Sequence, residues 1–108
     1  MYSKMIRNGY YMIKEWYDKP LKYCPYGSCG AMIRKDGTIF LKSYSTIVCS
    51  IDPQGWLECG GTYSATTRKH IGAFMKEYGE GASYYHAKEC YLTNTRYNVK
   101  TGEIEKLT

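Results

Sequence analysis

Long apolar runs are missing from this chain of 108 residues. Nothing approaches the ~18–20 residues of a membrane-spanning helix. Near the start, Lys4 and Arg7 introduce no leader-like apolar segment, because Arg7-Asn8-Gly9 interrupts it. The expectation is a cytoplasmic location and no membrane partner. Proline is scarce, at three residues, and hydrophobic content is 44 %, which argues against global disorder. No block of lysine or arginine exceeds two residues, so the chain has no basic tail. Walker, dinucleotide-binding, H-E-x-x-H and deaminase signatures are all absent.

Phenylalanine and tryptophan number two each, against 13 tyrosines. Some tyrosines must therefore help to fill the core. Others can serve at interfaces or as stacking platforms for unpaired bases. The 15 basic and 10 acidic residues leave a net charge of +5, which favours nucleic acid or an acidic protein as partner. The length suits a single domain, 1–108, with one modest core.

Five cysteines, Cys24, Cys29, Cys49, Cys59 and Cys90, provide no paired zinc-knuckle spacing. Cys24-x4-Cys29 lies at the edge of that range, and His86-x3-Cys90 is a conceivable complement. Whether these four meet in space is not decided by spacing. Reduced thiols, several of them buried, are the preferred reading, with no metal or cofactor expected.

The centre of the chain is Gly60-Gly61-Thr62-Tyr63-Ser64-Ala65-Thr66-Thr67-Arg68-Lys69-His70. From Thr67 onward, Ile71, Phe74, Met75 and Tyr78 form one helical stripe. Gly79 suits a C′ position of positive φ, and Gly72 weakens the helix interior. Ser64 or Thr66 is the expected N-cap. Arg68 and Lys69 lie close to the free N–H groups of the first turn, so the helix start is a candidate anion site as well as a solvated cap. His70 borders the apolar stripe and is expected to tie the turn down through one ring nitrogen.

Residues 2–19 suggest short helices, with Trp16 and Tyr17 in the second, although their aromatic density also suits a strand. Residues 20–30 read as a loop. Ala31–Arg34 and Thr38–Leu41 flank Asp36-Gly37, a strong hairpin signal. Ser43–Ile51 reads as one strand with Ser45, Ile47, Cys49 and Ile51 inward. Asp52–Gly55 is a turn into a strand over 56–59. Residues 83–92 fit helix or strand, and 95–107 a final hairpin. The fold class expected is α+β: a small antiparallel sheet of four to six strands in short hairpins, packed against one principal helix.

Three segments, Ser43–Val48, Asp52–Gly55 and Tyr63–Ile71, together resemble the DUF8033-type domain of small phage, bacterial and archaeal proteins, a family of unknown function. The resemblance covers about Leu41 to Tyr78 and is most specific at Tyr63–His70. It marks Tyr44, Thr46, Tyr63, Ser64, Thr66, Thr67 and His70, and implies a small accessory protein of phage or mobile-element origin.

A hydroxyl beside His70 without an orienting carboxylate is a weak catalytic set, so no catalytic residue is assigned. The function expected is non-catalytic binding of nucleic acid. The footprint comprises Arg34, Lys35 and Lys42 from the hairpin, Tyr44 and Tyr63 as stacking candidates, and Ser64, Thr66, Thr67, Arg68, Lys69, His70 and Lys76 from the helix. The alternative is a phage-type factor that captures or inhibits an acidic host protein.

Overall fold

The alternating, turn-punctuated segments join into one antiparallel sheet. A computed structural model describes residues 16–25, 28–61 and 64–107. Its strands are β1 (Trp16–Lys19), β2 (Cys29–Arg34), β3 (Ile39–Ser43), β4 (Thr46–Ile51), β5 (Trp56–Cys59), β6 (Thr95–Asn98) and β7 (Ile104–Lys106). Each pairs with its neighbour in sequence, so the spatial order is simply β1 to β7. Two helices, α1 (Ala65–Tyr78) and α2 (Tyr84–Thr93), fill the connection from β5 to β6.

Register assigns the faces. Ala31, Leu41, Cys49 and Cys59 align across β2 to β5, as do Ile33, Ile39, Ile51, Leu57 and Tyr97 across β2 to β6. These rows meet Ile71, Phe74 and Met75 of α1 and Ala87 and Cys90 of α2 in a single core. Because side chains alternate along a strand, Phe40 and Lys42 of β3, Arg34 of β2 and Trp56 of β5 point to the other face. There the Arg34 and Arg96 guanidinium groups lie over the Phe40 and Trp56 rings, at 5.8 and 4.1 Å.

Two turns follow their sequence signals. Asp36 accepts from the Thr38 N–H beside Gly37, whose φ is +100°. The Asp52 side chain gathers the N–H groups of Gln54 and Trp56.

Several elements differ from expectation. Trp16–Lys19 is a strand, not a helix, because it completes the hydrogen bonding of β2 from Arg34 to Ala31. The expected helical contents of residues 2–15 lie outside the described residues. Ser43–Ile51 is not continuous: Tyr44 and Ser45 form a tight turn between β3 and β4. Tyr44 adopts φ +56° in that turn, a conformation uncommon for a bulky side chain, so composition gave no turn signal. A register shift at Leu41/Lys42 then allows Val48 and Cys49 both to be buried. Among the described residues the fold has a seven-stranded sheet and two helices, rather than four to six strands and one principal helix.

The ambiguous 83–92 segment is helical because Ser83 and His86 build a reciprocal cap. Ser83 Oγ accepts from Tyr85 N–H, and His86 Nδ1 accepts from Ser83 N–H. At the end of α1, Gly79 has φ −83°, and positive φ passes to Glu80 and Gly81. Glycine is needed at 79 for space: a Cβ there would stand 2.5 Å from the Met75 carbonyl oxygen. A Cβ at Gly72 meets nothing within 4 Å.

These two glycines make opposite predictions. Gly72→Ala stabilises the fold by about 1 kcal/mol, the intrinsic helix preference. Gly79→Ala costs about 1–3 kcal/mol through overpacking. Urea unfolding midpoints of the two variants test the pair.

Candidate functional site

The site begins with a capped helix. Ser64 takes an extended backbone, φ −92° and ψ 170°, and its Oγ accepts the Thr67 N–H at 3.2 Å. Ser64, rather than Thr66, is therefore the N-cap. No acidic residue occupies the first turn. Thr66, Arg68 and Lys69 are exposed, whereas Thr67 and His70 turn inward and are buried. The spacing explains this split, since 67, 70, 71 and 74 share one side of the helix.

Beneath that buried side lies Ser43, the last residue of β3 and only 2 % exposed. Its Oγ is 2.8 Å from His70 Nδ1 and 3.1 Å from Thr67 Oγ1. Ser64 Oγ donates to Thr67 Oγ1 at 3.3 Å and completes the chain of hydroxyls. Burial lowers the pKa of His70, favouring the neutral ring. A neutral imidazole has one donor and one acceptor nitrogen. Ser43 engages Nδ1 and leaves Nε2 to the other side.

Two thiols occupy the surroundings of His70. Cys24 follows a short loop anchored by fully buried Leu21, and Cys29 opens β2. Their sulfurs are 3.7 Å apart, and Cys29 Sγ also lies 3.6 Å from the Cys24 carbonyl. Both sulfurs and a ring nitrogen of His70 fall within 4.8 Å of one another. Burial, reinforced by Cys24, pushes the Cys29 thiol up to about 12. The exposed Tyr44 ring also leans on His70, with centroids 5.7 Å apart.

The expected footprint is only partly assembled. Ser64, Thr67 and His70 converge, Tyr44 joins them, and Thr66, Arg68 and Lys69 border them. Thr46 is exposed and pairs with Ser43 in register. Arg34 and Lys35 do not join: Arg34 ends β2 and Lys35 follows in the β2–β3 turn, roughly 13 Å of strand from Ser43, and Arg34 is paired with Asp36 at 2.7 Å. Lys42 points to the other sheet face. Lys76 is drawn to Tyr23, its Nζ 4.4 Å from that ring centre. Tyr63 lies outside the described residues.

The imagined four-ligand set also separates. Cys24 and Cys29 meet, but their companion is His70. His86 serves the α2 cap and stacks near Tyr97, while Cys90 enters the core toward the Leu57 carbonyl. Ser43 was not anticipated as a partner because the strand was read straight through Tyr44, which hid its position at a strand end.

Three substitutions separate the cap from the buried chain. Ser64→Ala costs about 1 kcal/mol, while Thr66→Ala stays within about 0.5 kcal/mol of the parent. Ser43→Ala costs about 1–3 kcal/mol by stranding buried Thr67 and His70 groups. Equilibrium denaturation checks all three.

No curated protein and no solved structure matches the chain. Residues 7–95 match DUF8033, described as a family of unknown function, a span much wider than the segment that first suggested it. The chain belongs to that family.

Proposed function

We propose that the protein is a non-catalytic accessory factor that binds single-stranded nucleic acid at the start of α1. The observation that carries this reading is Tyr44. A tyrosine in a left-handed turn is costly, yet its ring is 53 % exposed beside the helix start. Thr66 precedes His70 by one helical turn, and the Tyr44 ring leans on His70.

The chemistry suits a nucleotide strand. The first-turn N–H groups and the Thr66 hydroxyl suit a phosphate, with Arg68 and Lys69 supplying charge. The Tyr44 face suits an unpaired base. Neither cation takes part in an ion pair among the described residues. Arg34, Lys35, Lys42 and Lys76 are not part of this smaller footprint.

A protein partner is the second reading. Tyr85 and Leu92 on α2 are 72 % and 60 % exposed and stand two helical turns apart on one face. That aromatic–aliphatic pair suits an interface anchor.

Anisotropy titrations with labelled single-stranded and duplex oligonucleotides distinguish the readings. Arg68→Glu/Lys69→Glu weakens single-strand binding and lowers the log K against log salt slope by roughly 1–2. Tyr44→Ala weakens it about tenfold while leaving that slope unchanged. Absence of binding at about 50 mM salt, where phosphate contacts are strong, overturns the proposal and leaves the α2 surface as the leading alternative.

A further inference from the structure

We infer that Cys24, Cys29 and His70 form a zinc-class metal site that fastens the start of α1 to the loop leading into β2. This inference is independent of nucleic-acid binding. Three soft or borderline donors, two sulfurs and one imidazole, come from places separated in sequence yet lie within 4.8 Å of one another. Among the described residues, no other histidine, cysteine or carboxylate group of three gathers in this way.

The separation fits the ion. A zinc–sulfur bond of about 2.3 Å in a tetrahedron places two sulfurs about 3.8 Å apart. The Cys24 and Cys29 sulfurs are 3.7 Å apart. They therefore already span the edge of such a site, and a cation between them satisfies two thiols whose present contacts are a weak sulfur–sulfur hydrogen bond and one backbone carbonyl.

His70 supplies the third donor. With Nδ1 held by Ser43 Oγ at 2.8 Å, Nε2 is the nitrogen with a free lone pair when Nδ1 carries the proton. Ser43 then accepts from Nδ1–H and can donate to Thr67 Oγ1. Such outer hydrogen bonds fix the tautomer and direction of metal-bound histidines. The donor set suits zinc or its tetrahedral substitute cobalt(II) better than magnesium or calcium, which prefer oxygen. Binding releases the two thiol protons to solvent, and the fourth position falls to solvent or an incoming ligand atom.

The full chain, purified anaerobically in a non-thiol reductant, is titrated with cobalt(II) and then zinc. The expected result is one equivalent bound, intense tetrahedral d–d bands with a sulfur-to-cobalt charge-transfer band, and loss of both when zinc displaces cobalt. Cys24→Ser and Cys29→Ser each abolish the charge-transfer pattern of the parent, whereas Cys49→Ala retains it. Ser43→Ala lowers zinc affinity about tenfold. A thermal melt of the parent with zinc against chelator gives a second readout, rising with zinc. Two results overturn the site: no cobalt spectrum and no zinc-dependent melting shift in the fully reduced parent, or bands unchanged in either serine variant. A Cys24–Cys29 disulfide formed in the zinc-loaded protein without loss of metal also overturns it.

Discussion

The short contact between Ser43 Oγ and His70 Nδ1 is the constraint on which the arrangement of helix and sheet turns. Both groups are buried, and a buried polar atom without a partner costs about 1–3 kcal/mol. Ser43 closes β3, while His70 lies in the second turn of α1, 27 residues later. Their mutual need fixes where along the sheet α1 begins. Apolar packing alone would tolerate sliding of the stripe Ile71, Phe74 and Met75 over Leu41 and its neighbours, because burial is not directional. The hydrogen bond gives that packing a register.

Once this register is set, three other features fall around it. The β3–β4 turn brings the Tyr44 ring against His70. The loop from Leu21 brings Cys24 and Cys29 close to it as well. The helix cap places Thr66, Arg68 and Lys69 at the rim. The loop is tied to α1 further along as well: the Lys22 N–H donates to Glu77 Oε1 at 2.7 Å, and Lys76 sits over Tyr23. A loop held at both ends against the helix is a suitable platform for metal ligands, since first-shell geometry survives only when neighbouring contacts restrain it.

Local chemistry was legible where one residue type dictates one conformation. Asp36-Gly37 and Asp52–Gly55 announced their turns, and the i, i+3, i+4, i+7 stripe announced α1. The α+β class followed from these alone. Illegible features depended on pairing across the chain. Trp16–Lys19 becomes a strand only because β2 has an edge to fill. The β3–β4 turn lacks glycine and asparagine, so it passed for continuous strand, and with it went the position of Ser43. For the candidate site, the helix residues could be named from the sequence, but the cysteines gather beside His70 rather than beside His86. Spacing links Cys90 to His86 through a helical turn; it is silent about a loop folding onto a helix 41 residues beyond Cys29.

Charge shows the same limit from another direction. A net charge of +5 implies an attraction to anions but not a patch. The fold disperses the basic side chains and engages several: Arg34 pairs with Asp36 and covers Phe40, Arg96 pairs with Glu105 and covers Trp56, and Lys76 covers Tyr23. Each of those contacts lowers the cation's availability to an outside phosphate. What distinguishes Arg68 and Lys69 is thus their setting: a helix start without an acid, a first turn with N–H groups to share, and an exposed aromatic ring against the adjacent His70. If a nucleotide strand binds here, the buried Ser43–His70 contact positions its site without touching it, because that contact holds the Tyr44 turn and the helix start in a fixed relation.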